Sequence, residues 1–234
     1  MKTKRSIYCI EDSQIIVSDM MTGKMEGIPS ISTSCLMNPR CLARMEKAYE
    51  EDDAKCICWE CFAAQGISYK KGLRENLEQN FELLNSRVLS TDELLQFRKM
   101  VEIARIESWG DVASVTQALN YINLMNLNPQ VTFGMWTKNP DLWDEAIKAN
   151  GKPDNMIALY SSPIINRVTD VREKYPWFDK IFTVYTKEFV AEHPEIVINC
   201  GTKVCDHCRL CYSKNDTIFI NELRKADQKK GERN

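Results

Sequence analysis

The sequence lacks a long apolar run: no stretch approaches the roughly 18 residues that a membrane-spanning helix requires. Its first residues are basic, but Glu11 and Asp12 follow before an apolar segment can form, which disfavours a signal peptide. We therefore expect a cytoplasmic protein that has no membrane partner.

The sequence also lacks an excess of charge of either sign. It holds 31 Lys and Arg against 33 Asp and Glu, for a formal net charge of −2. A nucleic-acid partner would therefore need a local basic patch. The phosphate-binding Gly-x-x-x-x-Gly-Lys-Ser and Gly-x-Gly-x-x-Gly patterns are missing, and so is a nucleophile elbow. These absences argue against the common nucleotide-binding and triad-hydrolase classes.

Cysteine is abundant, with ten residues in a chain of 234. Thiols stay reduced in the cytoplasm, so disulfides do not account for this number, and metal binding is the usual reason. Hydrophobic residues make up 44% of the chain, enough for an ordinary core without covalent staples. Cys9 stands alone on an apolar strand and is interpreted as a small core residue.

From residue 101 onward, short β-branched runs alternate with helical patterns. This alternation predicts strands at 101–106, 131–136, 156–160, 181–185, 195–199 and 217–220, and helices at 112–127, 141–149 and 164–174, with a short one ending near 193. Such repeats imply an α/β fold with a parallel sheet, either open or closed as a full or partial (β/α) barrel of the TIM type.

The chain divides into four predicted segments. Residues 1–34 hold strands at 6–10 and 14–19, which we expect to pair as a hairpin, and a loop at 22–34. Residues 35–99 form a cysteine-rich segment with a helix at 42–51 and two more at 74–99, the second capped at Ser90. Residues 100–222 form the α/β core, and residues 223–234 a polar tail.

The C-terminal cysteines follow a C-x4-C-x2-C-x2-C pattern. Soft thiolates select zinc or iron–sulfur clusters. Structural zinc usually takes two separated C-x2-C pairs, whereas a run spaced by two with a fourth cysteine nearby is closer to ferredoxin-type ligation. We predict a cluster, of the 4Fe–4S type, with zinc as the alternative, on Cys200, Cys205, Cys208 and Cys211.

The N-terminal cysteines number five, one more than a cubane cluster or a zinc ion needs. We predict Cys35, Cys41, Cys58 and Cys61 as ligands of a second centre, with Cys56 as the spare thiol. In an alternative arrangement, three of these share a single cluster with one cysteine of the C-terminal run. The sequence thus leaves one or two clusters open.

Polar residues follow the predicted strands at their carboxyl ends, which form the active face of parallel α/β folds. The segments 132–138 and 181–187 both end in aromatic-Thr-Lys. We predict a catalytic set of Arg105, Glu107, Asp111, Lys138 and Lys187, and a cofactor-binding set of Ser108, Gly110 and Thr137. The alternative role of Asp111 is the N-cap of the helix predicted from Val112.

Cys200 directly follows the strand predicted at 195–199. This position predicts that metal centres and strand-end polar residues share one site, within reach of Lys187. The alternative is a cluster that only staples the last strand to the N-terminal loops.

Several of these motifs, taken in order, resemble the phage gene-product-88-like family over roughly residues 33–222. The matching elements are Cys35 and Cys41 followed by Cys61-Phe62-Ala63, then Arg105 to Asp111 with Trp109 as an extra residue, then Trp136-Thr137-Lys138, and finally Cys208-Arg-Leu-Cys211-Tyr212. The family's Pro and Gly after its first cysteine are replaced here by Leu36 and Met37. The resemblance implies a phage or mobile-element protein with clustered cysteines and a barrel-like α/β core, and it implies no established reaction.

A more distant analogy is to radical S-adenosylmethionine enzymes, which place a three-cysteine cluster ahead of a partial barrel. Their C-x3-C-x2-C motif is absent, because position 54 is Ala. S-adenosylmethionine is therefore a candidate cofactor by analogy alone. The function predicted is a redox or radical-type iron–sulfur enzyme acting on a small molecule. The alternative is a metal-stapled binding protein that recognises nucleic acid or a host protein.

Overall fold

The computed structural model describes residues 6–11, 13–19, 21–50, 55–201 and 203–225. Within these ranges the chain forms a seven-stranded sheet whose strands follow one another in sequence order. The strands are β1 (Val17–Ser18), β2 (Ser30–Ile31), β3 (Ile103–Ile106), β4 (Thr132–Thr137), β5 (Met156–Ser161), β6 (Lys180–Tyr185) and β7 (Phe219–Leu223). β1 pairs antiparallel with β2, and every later pair is parallel.

The principal helices form a layer on one face of the sheet. They are α3 (Lys71–Ser86), α4 (Val115–Leu127) and α5 (Pro140–Asn150), which pack side by side. Right-handed crossovers between sequential parallel strands place their helices on one side. The main core lies between the two layers and includes Ile106, Phe133 and Ala158 from the strands and Tyr121 and Trp143 from the helices.

The other face of the sheet has no such helical layer in the described part of the chain. Alternate strand residues point to it because successive side chains of a strand face opposite ways. Here a second apolar cluster joins Ile103, Trp136 and Leu159 to Tyr212 of the C-terminal cysteine run. The shorter helices are α1 (Pro39–Glu50), α2 (Phe62–Tyr69), α6 (Lys187–Glu192) and α7 (Cys205–Cys208).

The predicted α/β fold with a largely parallel sheet is confirmed. Of the architectures left open, the described residues form the open one: β1 and β7 are the two edges, and the sheet does not close into a barrel. Residues 226–234 of the predicted polar tail lie outside the described residues. Within the described ranges, no helix has both the length and the apolar character to cross a lipid bilayer.

Two N-terminal predictions are wrong. Residues 6–10 and 14–19 do not pair as a hairpin: Cys9 bridges to Phe97, and β1 pairs with β2 instead. The predicted loop at 22–34 contains β2 and a 3-10 helix at Gly23–Met25. β2 was missed because Ser30-Ile31 is short and lies in a segment rich in Ser and Gly, and its parallel pairing with β3 decides its conformation.

The helix predicted from Ser90 does not form. The Glu93 carboxylate accepts hydrogen bonds from the backbone and hydroxyl of Ser90, but these close a turn rather than start a helix. Two asparagines hold the backbone on either side of this turn: Asn120 of α4 accepts from Leu89 N, and Asn128, the C-cap of α4, accepts from Phe97 N.

Two further elements of the predicted core are also wrong. The segment 164–174 is irregular, and Asn166 in it adopts a left-handed φ of 64°, which interrupts a right-handed helix. The segment 195–199 is not a strand. Instead, Asn199 and Cys200 donate backbone hydrogen bonds to Asn221 O of β7, and Cys200 forms a single parallel bridge to Glu222.

Candidate functional site

A cavity of about 350 Å³ lies on the face opposite the main helices and reaches the carboxyl ends of the strands. Cysteines of both runs line it: Cys35, Cys41, Cys58 and Cys61 from the first, and Cys200, Cys205 and Cys211 from the second. Strand-end residues also line it: Arg105, Glu107, Ser108, Gly110, Asp111, Thr137 and Lys138. The structure therefore brings most of the predicted site residues to one cavity.

Two predicted site residues do not line this cavity. Lys187 is exposed at the first position of α6. Cys208 lies at the end of α7, close enough for its charge to affect Cys205 and Cys211. Cys200 reaches the cavity through its pairing with β7 and not by following a strand of its own.

Three N-terminal thiols interact with one another. Cys61 immediately precedes α2, and its sulfur accepts hydrogen bonds from Cys35 and from the backbone of Ala64 and Ala63; with nearby Lys138 these lower its pKa to about 6 despite burial. The Cys35 pKa is raised by the hydrogen bond to Cys61 and by burial. Burial raises the pKa of Cys41 to about 12. Of these three thiols, Cys61 therefore ionises most readily to the thiolate.

Cys58 interacts with Cys56 rather than with that trio. The hydrogen bond to Cys56, together with burial, raises the pKa of the Cys58 thiol, while the positive charges of Lys138 and Arg44 oppose the rise. The backbone of Cys56 forms an isolated antiparallel β-bridge with Ile164. Cys58 lines the cavity, as the predicted assignment requires, but its hydrogen-bonding partner is the thiol predicted to be spare.

Tyr212 packs the C-terminal cysteine run against the sheet face that lies opposite the main helices. Its ring centre lies 5.8 Å from that of Trp136 in an edge-on contact. A Cβ atom at Gly134 would lie 2.6 Å from the Tyr212 ring, so the contact needs glycine at that strand position. Arg209, with a left-handed φ of 49°, turns the chain between α7 and Cys211.

Two cations accompany these C-terminal thiols. Lys24 Nζ lies 3.6 Å from Cys200 Sγ and forms an ion pair with Glu222. The Arg105 guanidinium lies 3.3 Å above the Trp136 ring centre, and its positive charge opposes the burial that raises the pKa values of Cys205 and Cys211. The ring and a hydrogen bond with Tyr212 are its partners on this apolar strand, while Arg105 Nε is buried and has no hydrogen-bond partner among the described residues.

Glu107 is buried within a dense hydrogen-bond network. Its carboxylate accepts from the backbone and hydroxyl of Thr33, from Gln117 Nε2 and from the Tyr121 hydroxyl. Burial nevertheless raises its pKa to about 7. Thr33 stands two residues before Cys35, so Glu107 ties the first cysteine loop to β3 and α4. Gly110 leaves room for this contact, since a Cβ there would lie 2.5 Å from Thr33 O and 2.8 Å from Glu107 Oε2.

Asp111 ties neighbouring strand ends together. Its carboxylate accepts from the Thr137 hydroxyl at 2.6 Å and from the backbone N–H of Lys138 and of Val112. The alternative role as a helix N-cap is wrong, because α4 begins at Val115 and Ser114 is its N-cap, accepting from Gln117 N. Desolvation raises the pKa of Asp111.

The remaining predicted cofactor-binding residues sit on this same framework. Ser108 is bonded through its hydroxyl to Ser30 of β2 at 2.6 Å. Thr137 ends β4, and its hydroxyl both donates to Asp111 and accepts from Asn139 N. These contacts position the strand ends.

Sequence patterns did not identify Lys24 or Arg44. Lys24 lies 176 positions before Cys200, in a segment interpreted as loop. Arg44 Nη2 donates to Lys138 O across 94 positions. Nothing local distinguishes either residue from a solvated surface cation, so only the fold reveals their place.

A preformed metal-ion site is not seen in the described part of the chain: no three Cys, His, Asp or Glu side chains there stand in such an arrangement. The fold and the cavity together define an open, sequentially wound α/β protein with two cysteine runs facing one cavity. The family model described as gene product 88 matches residues 21–214, and the chain belongs to this family. The comparisons with curated proteins and with solved structures find no match.

Proposed function

We propose that this chain is a phage or mobile-element iron–sulfur enzyme that performs a redox or radical-type reaction on a small molecule in the cysteine-lined cavity. The observation that carries the proposal is the convergence of seven thiols from two distant segments on one cavity. The same cavity is lined by basic and polar side chains from the strand ends. A structural clip would not require this combination.

The donor set suits an iron–sulfur cluster. Thiolate sulfur is the ligand of both iron–sulfur clusters and structural zinc. Seven thiols line the cavity, more than the four that one zinc ion takes. Zinc remains the alternative occupant.

A bound cluster would supply one-electron transfer. The chain's own residues would moderate the charge of its thiolate ligands: Lys24 and Arg105 beside the C-terminal run, Arg44 and Lys138 beside the N-terminal one. Glu107 and Asp111, which we predicted as catalytic, would instead act through the loops that they hold. The aromatic and apolar wall of the cavity would limit the access of water.

Metal analysis tests the proposal. Anaerobically purified protein should carry iron and acid-labile sulfide and absorb in the visible region. A colourless protein with stoichiometric zinc would contradict it. Calorimetry with S-adenosylmethionine tests the narrower radical hypothesis, which rests on the analogy in cysteine placement alone; absence of binding would remove that reaction class but not the cluster.

The packing of Tyr212 favours a second candidate, a metal-stapled binding protein. Because Tyr212 seals the C-terminal run against Gly134 and Trp136, a centre there could serve only to hold the chain end in place. Such a centre should resist reduction by dithionite, and its removal should lower thermal stability without affecting a small-molecule site.

A further inference from the structure

Arg44 and Lys138 are held next to each other on the wall of the cavity. Arg44, on α1, donates from Nη2 to Lys138 O at 2.8 Å and to Asn139 Oδ1. Lys138, just after β4, donates from Nζ to Ser161 Oγ at 3.0 Å. All of these acceptors are neutral, so the contacts fix the two cations in place without cancelling their charge.

Neither cation has a carboxylate oxygen within 4 Å among the residues that the structure describes, whereas surface cations such as Lys148 and Arg74 do. Asp111 is close enough to attract both. Its oxygens, however, already accept from Thr137, Val112 and the Lys138 backbone.

We propose that Arg44 and Lys138 bind the oxyanion group, carboxylate or phosphate, of a small-molecule substrate. This inference rests on the proposed function only in taking the cavity as the substrate site. A guanidinium fork matches either oxyanion, and Lys138 adds a point charge. The adjoining wall offers Trp136, Phe182 and Tyr212 to an apolar or aromatic remainder.

Calorimetry with inorganic phosphate and, separately, with acetate tests the site on the full chain as purified. One of the two should bind in a saturable manner, and the better binder identifies the group. Arg44→Gln and Lys138→Gln should each weaken that binding about tenfold or more, whereas Lys138→Arg, which keeps the charge, should retain most of it. Lys148→Gln on α5, outside the cavity lining, is the matched control and should bind like the parent.

Thermal unfolding of each variant shows whether it is folded. If the glutamine variants do not fold, Lys138→Arg still tests the proposal. Binding of neither anion by folded parent protein, or equal weakening by Lys148→Gln, overturns the proposal. Iron and sulfide are measured in the same preparations. If the protein carries iron but binds no anion, the anion site is refuted and the proposed function stands. If it binds an anion but carries no iron, the anion site stands and the iron–sulfur function is refuted.

Discussion

The Tyr121 hydroxyl donates a 2.6 Å hydrogen bond to Oε1 of Glu107, a carboxylate that is only 3% exposed. Burial raises the pKa of this carboxyl to about 7 from a reference value of 4.5. Between these two values the folded chain keeps a proton that the unfolded chain has released. The contribution of Glu107 to stability is therefore present below the unfolded pKa and lost as the pH rises through the folded one.

We expect Glu107→Gln to remove this pH dependence. The parent should lose on the order of 3 kcal/mol of unfolding free energy between pH 4.5 and 7 relative to the variant. Chemical denaturation of both proteins at several pH values gives the difference. Glutamine keeps the side-chain shape at this left-handed position, where φ is 59°. Parallel stability curves for parent and variant would show that Glu107 does not titrate in this range.

The parallel α/β core was predictable because its strands are short, apolar and separated by helical patterns. Whether the sheet closes into a barrel was not predictable, since the number of strands and the pairing of the edges are properties of the whole sheet. The two missing core elements have local causes. Asn166 breaks one apparent helix by its left-handed backbone, and the segment before Cys200 bonds to Asn221 in an irregular way.

The candidate site was predictable as far as one rule reaches, namely that the carboxyl ends of parallel strands meet on one side of the sheet. That rule placed Arg105, Asp111 and Lys138 together, and they do line one cavity. It failed for Lys187, because α6 carries that side chain away from the cavity. Lys24 and Arg44 required the folded structure, since each meets its partners from a distant segment.

Removal of the cation beside Cys200 tests its electrostatic role. In cluster-bearing protein, Lys24→Gln should lower the reduction potential of the C-terminal centre, by an amount on the order of tens of millivolts, because a negative cluster loses a nearby positive charge. A redox titration followed by electron paramagnetic resonance measures it. Lys214→Gln, at an exposed position three residues after Cys211, should leave the potential unchanged.

Loss of Lys24 also removes its ion pair with Glu222, and the negative charge of Glu222 would itself lower the potential. The double variant Lys24→Gln with Glu222→Gln separates the two effects and should recover part of the shift. An unchanged potential in the single variant would contradict a tuning role for this lysine.

Gly134→Ala should displace the C-terminal run from the sheet. The added methyl would meet the Tyr212 ring at 2.6 Å, and overpacking of this kind costs about 1–3 kcal/mol. Denaturant unfolding measures the loss. Gly72→Ala is the control, since nothing lies within 4 Å of the new Cβ and helix α3 should gain slightly.

Tyr212→Leu in the Gly134→Ala background should recover part of the lost stability, because the smaller side chain vacates the space that the methyl takes. Additive losses in the double variant would mean that the two residues are not coupled, and that the strain falls on Trp136 instead.

The five N-terminal cysteines divide in the structure into the trio Cys35, Cys41 and Cys61 and the hydrogen-bonded pair Cys56 and Cys58. This division does not distinguish Cys58 from Cys56, so the assignment of Cys58 as the fourth ligand and Cys56 as the spare stays a prediction. The two groups share their cations, because Lys138 acts on Cys41, Cys58 and Cys61 and Arg44 acts on Cys41 and Cys58.

Serine replacement of each N-terminal cysteine, followed by iron and sulfide analysis, tests that assignment. Serine at any member of the trio should remove the N-terminal centre, about four irons per chain for a 4Fe–4S cluster, because a hard hydroxyl is a poor substitute for a thiolate. Cys58→Ser should do the same and Cys56→Ser should not. Cys9→Ala, in the main core, is the control and should retain all iron. Loss of iron at Cys56 with retention at Cys58 would reverse the two roles. Retention at both would leave three cysteines of this run as ligands, with the fourth position filled from elsewhere.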